Sequence, residues 1–234
     1  MSDDEKISTA LIVGASRGLG LALAKEYLTR GWRVIGTVRS AARTGLHDLG
    51  ERYGQRLEIE RLDIASADEI RGLRRRLSGR SLDLLFVSAG VTNDPAQIIG
   101  EVSTEEFIRV MVINALGAMR AIEALQDLVP PSGMIAAMSS GLGSVADNES
   151  GGWEVYRASK AALNTLMRSF AARQKDSDRS LALVAPGWVR TDMGGPSAPL
   201  DVETSIPGVV NAIAAQTGRP GLRYLDYQGR TVRW

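Results

Sequence analysis

The sequence predicts a doubly wound α/β domain with about seven parallel strands, on three observations. A β-branched apolar run, Ile7–Val13, enters the glycine turn Gly14-Ala15-Ser16-Arg17-Gly18-Leu19-Gly20, and a helical pattern leaves it. Downstream, short apolar runs keep alternating with segments of helical period, the order that builds βαβ units. The 234 residues are 44% hydrophobic, enough for a sizeable core, and no repeat or linker divides them. A single domain over 1–234 is therefore expected.

Composition narrows the chemistry. The net charge of +1 gives no bulk electrostatic case for nucleic acid or a membrane surface. Without cysteine, disulfides, thiol catalysis and thiolate-held metals are excluded. His47 is the only histidine, lacks a metal-ligating partner or a serine triad around it, and is expected at a surface or in a loop, so no metal site is assigned. The opening Met1–Lys6 is acidic and lacks the apolar stretch of a signal peptide, and no apolar run approaches the ~18 residues of a membrane span. A cytoplasmic protein is the expectation.

In the first βα unit, Leu19, Leu23 and Tyr27 recur on one helix face. A strand that feeds a helix through glycines leaves unpaired N–H groups and the positive end of the helix dipole at the turn, a place for phosphate or pyrophosphate. Gly14 can take a positive φ in the tight turn, while Gly18 and Gly20 admit close approach of a ligand or of the first strand. Gly14, Ser16, Arg17, Gly18, Leu19 and Gly20 are thus candidate cofactor contacts. Gly31 is placed to end the helix.

Trp32–Val38 reads as the second strand. The residue closing such a strand faces the adenosine ribose: an acid there suits the 2′-OH of NAD, an arginine the 2′-phosphate of NADP. No acid occurs between Trp32 and Ala42, whereas Arg39 follows the strand and Arg17 lies in the glycine turn. NADP is favoured over NAD.

Leu57–Leu62 is the third strand; Asp63-Ile64 follow, Ser66 can cap the next helix, and Ala67–Leu77 buries Ile70, Leu73 and Leu77. Arg71, Arg74, Arg75 and Arg76 form that helix's solvated side. Leu82–Val87 is the fourth strand and ends in Ser88-Ala89-Gly90, small residues that let the backbone pass close to a cofactor. Ser103 or Thr104 opens a helix that carries Asn114 in its interior. Met134–Met138 is the fifth strand and delivers Ser139-Ser140 at its carboxyl end, where ligands of open α/β sheets bind.

Tyr156 and Lys160 stand one turn apart on the next helix. A free phenol titrates near ~10, and a neighbouring ammonium would lower that. The pair can act as a general acid toward a carbonyl or as a base toward an alcohol, and a serine hydroxyl can hold the carbonyl oxygen. Leu181–Val184, Val202–Ala214 and Leu222–Tyr227 complete the pattern as sixth strand, last helix and seventh strand; Met193–Ser205, rich in Gly, Pro and Ser, reads as a substrate loop.

The glycine turn, Ala89-Gly90, Asn114, Ser140 and Tyr156-x-x-x-Lys160, in that order, resemble the classical short-chain dehydrogenase/reductase family along essentially the whole chain. The resemblance implies a Rossmann-type fold and NADP(H)-dependent interconversion of a carbonyl compound and an alcohol. It implies that Ser140, Tyr156 and Lys160 are catalytic, with Asn114 bending its helix and holding a water linked to the lysine. Asp63 and Ile64 would meet the adenine, and Tyr156 and Lys160 would also contact the cofactor. Pro186-Gly187-Trp188-Val189-Arg190-Thr191 resembles the family's Pro-Gly…Thr motif, in which Val189 and Thr191 would hold the nicotinamide carboxamide.

Two departures stand out. The family's usual Asn-Asn before Ala-Gly is Val87-Ser88 here, and the serine-to-tyrosine spacing is longer, through Asp147-Asn148-Glu149-Ser150-Gly151-Gly152-Trp153. That longer loop looks like the C-signal (C-factor) and sniffer-type carbonyl reductase branch. Trp153 either lines the substrate pocket or belongs to the core. The branch leaves an alternative open, a cofactor-binding signalling protein with little turnover. A homo-oligomer, dimer or tetramer, is expected through the helices at 104–127 and 155–174; Ala118, Ala121, Ala161 and Ala171 suit close packing there or in a core.

Overall fold

The computed structural model describes residues 7–175 and 177–234. The acidic opening Met1–Lys6, read above as no signal peptide, lies outside them.

Strands β1 (Thr9–Val13), β2 (Arg33–Val38), β3 (Leu57–Arg61), β4 (Leu84–Val87), β5 (Met134–Met138), β6 (Ser180–Ala185) and β7 (Gly221–Asp226) form one sheet, ordered β3-β2-β1-β4-β5-β6-β7. Every pairing is parallel. Such strands are covered on both faces, so they read as unbroken apolar runs rather than alternating ones. Register sorts the side chains. Ile35, Leu11, Leu85, Ile135 and Leu181 stand in one row and belong to one core cluster. Ile12, Phe86, Ala136 and Ala182 form the next row and belong to the other.

The helices are α1 (Gly18–Thr29), α2 (Gly45–Tyr53), α3 (Ala67–Arg76), α4 (Thr104–Met111), α5 (Ala118–Leu125), α6 (Glu154–Arg173) and α7 (Val202–Ala214). Leu23 of α1, Leu46 of α2 and Val209 of α7 join the second cluster, whereas Leu73 of α3, Ile122 of α5 and Phe170 of α6 join the first. Chain direction across the sheet reverses between β3 and β4, which puts the switch point between β1 and β4, where open α/β sheets bind ligands. There the Ser88 and Ala89 amides both donate to the Val13 carbonyl, at 2.9 and 3.0 Å.

Most expected elements are present within one or two residues of their predicted ends, and three points differ. Helix α2 was not anticipated. Gly45 and Gly50 weaken its propensity. Its capping box uses an uncommon residue: His47 Nδ1 accepts from the Thr44 amide at 3.1 Å. His47, expected at a surface or in a loop, is thus part of a helix start. The loop expected over Met193–Ser205 ends at Asp201, whose carboxylate caps α7 by accepting from the Thr204 amide at 2.8 Å. Finally, the helix over 104–127 is continuous but not uniform: a π-helical segment, Val112–Gly117, joins α4 to α5.

Candidate active site

A cavity of about 720 Å³ runs along the carboxyl ends of the strands. Every residue the sequence assigned to the site borders it, except Asn114.

At the β1 end the walls are mainly backbone. The Gly14 amide donates to Thr37 Oγ1 at 2.9 Å and the Ala15 amide to the Thr37 carbonyl at 2.8 Å, so β2 fixes the start of the turn. Gly14 has φ +89°, and a Cβ on it would lie 2.7 Å from Ala89. A Cβ on Gly20 would lie 1.9 Å from the Gly14 carbonyl oxygen, which is impossible without moving backbone. Gly18 differs: its φ of +56° favours glycine, but the space beside it is open. So Gly14 and Gly20 serve packing, and of the three only Gly18 leaves open space. Arg17, the residue before α1, makes no side-chain cap, and the first turn contains no acid. The helix therefore presents uncapped N–H groups at the cavity, suited to an anion.

The two arginines are not equivalent. Arg17 reaches across the mouth to Asp192, 2.9 Å away, in an ion pair exposed on both sides. Arg39 is exposed at the end of β2 and borders the cavity. Asp63 opens the turn into α3, with its Oδ1 accepting from the Ala65 amide at 2.9 Å, and it also borders the cavity. Ile64 is buried beside it. Ser66 caps α3 and Ser103 caps α4.

At the β5 end the walls are side chains. Ser140 and Tyr156 line the same wall, and the Ser140 hydroxyl acts on the Tyr156 phenol to favour its ionised form. Lys160 Nζ donates to the Met138 carbonyl at 2.9 Å and sits 5.7 Å from the centre of the Tyr156 ring. The electrostatics run against the expected lowering of the phenol. Burial pushes Tyr156 up to about 12, with the Ser140 hydroxyl opposing, and pushes Lys160 down to about 8. Both groups lose water, and desolvation disfavours phenolate and ammonium alike. The tyrosine consequently holds its proton at neutral pH, as an acid must.

Asn114 sits behind this pair, within the π-helical segment. Its Oδ1 accepts from the Val91 amide at 2.8 Å, and its Nδ2 donates to the Val91 carbonyl at 2.7 Å and to Ser159 Oγ at 2.9 Å. A Cβ on Gly90 would stand 3.5 Å from both Asn114 Oδ1 and Lys160 Nζ, so the amide and the ammonium converge behind that glycine. The π segment falls at Asn114, where the family resemblance implied a bend, and π-helical insertions are one source of helix kinks.

Two residues not singled out from sequence complete this end. Asn164, one turn beyond Lys160 on α6, accepts from Ser139 Oγ at 2.6 Å and donates to the Gly143 carbonyl at 3.1 Å. Tyr224 on β7 donates its hydroxyl to the Ser140 carbonyl. Spacing could have flagged Asn164, which continues the 156–160 face; nothing local marks Tyr224.

The segment after β6 closes the cavity. Pro186, Gly187, Val189 and Thr191 border it. Gly187 has φ +83°, and a Cβ there would meet Leu200 at 2.5 Å. Thr191 Oγ1 accepts from the Gly194 amide at 3.1 Å, and the Trp188 indole donates to the Gly194 carbonyl at 2.8 Å. Among the described residues no helix is long and apolar enough to cross a membrane.

Comparison with known proteins agrees with this fold. The family model for short chain dehydrogenase matches residues 8–199. A short-chain dehydrogenase/reductase from Burkholderia multivorans, solved with bound NADP, is 59% identical with a TM-score of 0.96, over 97% of this chain and 100% of that one. A carbonyl reductase from Pseudomonas aeruginosa PAO1 in complex with NADP is 39% identical with a TM-score of 0.91, over 98% and 100%. The carbonyl reductase Sniffer of D. melanogaster is 29% identical with a TM-score of 0.87, over 97% and 100%. The C-signal protein of Myxococcus xanthus is 36% identical over 65% of this chain and 93% of its own length.

Proposed function

The chain belongs to the short-chain dehydrogenase/reductase family of NAD(P)-dependent oxidoreductases, and from that premise we propose that it reduces a ketone, aldehyde or quinone to the alcohol with NADPH, or runs the reverse. The observation that carries this reading is the Ser140–Tyr156 hydroxyl pair with Lys160 beside it, on the wall of the cavity that the uncapped start of α1 also borders.

The residues suit the cofactor. The α1 amides and the open side of Gly18 would take the pyrophosphate, and Arg39 the 2′-phosphate. Asp63 and Ile64 would take the adenine, Ala89 and Gly90 the ribose, and Pro186, Gly187, Val189 and Thr191 the carboxamide. NADP is the cofactor in the Burkholderia and Pseudomonas structures. Bound NADPH supplies the hydride for the carbonyl carbon.

The chain's own groups handle the proton. The Ser140 hydroxyl holds the substrate oxygen, and Tyr156 gives that oxygen its phenolic proton. Lys160, at about 8, is mostly protonated at neutral pH and stabilises the phenolate as it forms. Asn114 fixes the backbone at Val91 behind the lysine. The test is NADPH oxidation by the wild type with a panel of aldehydes, ketones and quinones. Turnover with one of them supports the reading. NADPH binding with no turnover on the whole panel would instead favour the signalling role that the C-signal relative suggests.

We propose a homo-oligomer on the same footing. Ile108, Leu116 and Leu166 are exposed beside an apolar groove that includes Met119 and Ala172, on the outer faces of α4 to α6. Ala118 and Ala121 are buried and belong to the core rather than to that surface. Light scattering of the purified chain reads the assembly state.

A further inference from the structure

We infer that Arg157 is a positioning residue that holds Trp153 as a size-selecting wall of the carbonyl site; the inference rests on the reductase reading above.

Gly151, Gly152 and Trp153 have φ of +62°, +65° and +53°, three left-handed residues in succession. Trp153 is the one non-glycine with positive φ among the described residues. A bulky L-residue rarely takes that conformation, and it persists where the surroundings impose it. The surroundings here are Arg157. Its Nε donates to the Gly152 carbonyl at 2.9 Å, and its Nη2 donates to the Gly151 carbonyl at 2.9 Å and to Ser150 Oγ at 3.0 Å. Arg157 is buried, and all three acceptors are uncharged oxygens. A guanidinium is seldom buried without a carboxylate, so loop shape rather than charge pairing explains its place.

The strained turn aims Trp153 at the chemistry. Its ring meets Tyr156 edge-on, with centroids 5.8 Å apart and planes at 68°. The indole is only half-buried and borders the cavity together with Leu142 and Ser140, so it is wall rather than core. A carbonyl whose oxygen reaches the Tyr156 hydroxyl must pass one substituent along that indole. Arg157 itself also borders the cavity, but its side chain bonds to the turn and not to Ser140, Tyr156 or Lys160, so it acts through the turn.

The experiment compares kcat and KM, with NADPH, for a small aliphatic aldehyde and a bulky aryl ketone. The proteins are the wild type, Trp153→Gly, Arg157→Met, Arg157→Lys and the Trp153→Gly/Arg157→Met double variant. Trp153→Gly suits the left-handed position, so it should fold and bind NADPH as the wild type does. It should move the bulky-to-small ratio of kcat/KM by roughly tenfold or more, chiefly through KM, the scale set by one apolar pocket contact. Arg157→Met should move the ratio in the same direction by a smaller factor, Arg157→Lys should recover part of it, and the double variant should match Trp153→Gly alone. An unchanged ratio in Trp153→Gly overturns the inference and leaves the reductase reading standing. So does an Arg157→Met effect that lowers kcat equally for both substrates and adds fully to Trp153→Gly, which marks a merely structural arginine. A wild type that reduces no carbonyl overturns the reductase reading itself, and the inference with it.

Discussion

At the ends of β1 and β2 the cavity is made mainly of backbone, whereas at the end of β5 it is made of side chains. The first region relies on glycines that cannot bear a Cβ, on uncapped amides and on exposed arginines. The second relies on the hydroxyls of Ser140 and Tyr156 and the buried ammonium of Lys160, backed by Asn114 of the π-helical segment and Tyr224 of β7. A backbone site can hold a phosphate without titrating anything. A buried side-chain site changes the protonation of its members, as the raised Tyr156 and lowered Lys160 show. The division predicts that variants at one end change binding and variants at the other change turnover.

The largest expected break is at Tyr156. Tyr156→Phe removes the proton donor but not the ring, so turnover should fall by ~10² or more while NADPH affinity stays near wild type. Stopped-flow reduction beside a fluorescence titration of NADPH reads both. Retained turnover would take Tyr156 out of the mechanism.

Lys160 sharpens the contrast through stability. Its folded pKa of about 8 lies below the usual lysine value of 10.5. Below pH 8 the lysine is protonated in both states, and the fold carries the full desolvation penalty. Between pH 8 and 10.5 the unfolded chain binds more protons, so wild-type stability from this group rises with pH. At 1.36 kcal/mol per unit the penalty is about 3 kcal/mol, of which the lost bond to the Met138 carbonyl takes back ~1. Lys160→Met should thus be about 2 kcal/mol more stable than the wild type at pH 7, yet far less active, and its advantage should shrink toward pH 9.5. Denaturant unfolding at both pH values measures this; an equal difference at the two would contradict the buried charge. No similar effect is expected at the glycine end.

The arginines test the backbone region. Arg39→Ala should shift the NADPH/NADH ratio of kcat/KM toward NADH by roughly 10- to 150-fold, toward the lower end because the site is exposed, since it removes a charge-assisted bond to the 2′-phosphate. Arg39→Asp should go further, since it also repels the 2′-phosphate and offers the NAD ribose an acceptor. Arg17→Ala should do least, because its exposed partner Asp192 already competes for it. A wild type that prefers NADH would remove the assignment.

How much of this was legible in the sequence follows the same division. The glycine turn is local: strand, glycine spacing and helix sit within a few residues, so its place and the closeness of Gly20 to the first strand could be read directly. Tyr156 and Lys160 were legible because helical spacing alone puts them together. Helix α2 was not, since two glycines mask its propensity and a histidine closes its capping box. Tyr224 was not, since a tyrosine in a strand looks like core until β7 is laid beside β6 and its hydroxyl reaches Ser140, 84 residues away. The direction of the Tyr156 shift was misread because spacing shows the neighbouring ammonium but not the burial that outweighs it.

The smallest and most discriminating comparison removes one hydroxyl from each region. Thr37→Val takes the acceptor from the Gly14 amide, and Tyr224→Phe takes the donor from the Ser140 carbonyl. Both sites are buried, and each loss is a bond worth about 1 kcal/mol net, or roughly fivefold. If the cavity divides as its construction indicates, the equal deletions have unequal readouts. Thr37→Val loosens the turn that faces the phosphates, so the NADPH dissociation constant should rise by about fivefold with kcat little changed. Tyr224→Phe loosens the backbone that carries the Ser140 hydroxyl, so kcat should fall by a similar factor with NADPH affinity unchanged. Proteins in which the two variants moved the same parameter would show that the ends of the sheet act as one site, coupled through β1, β4 and β5, and the separation of binding from proton transfer would be lost.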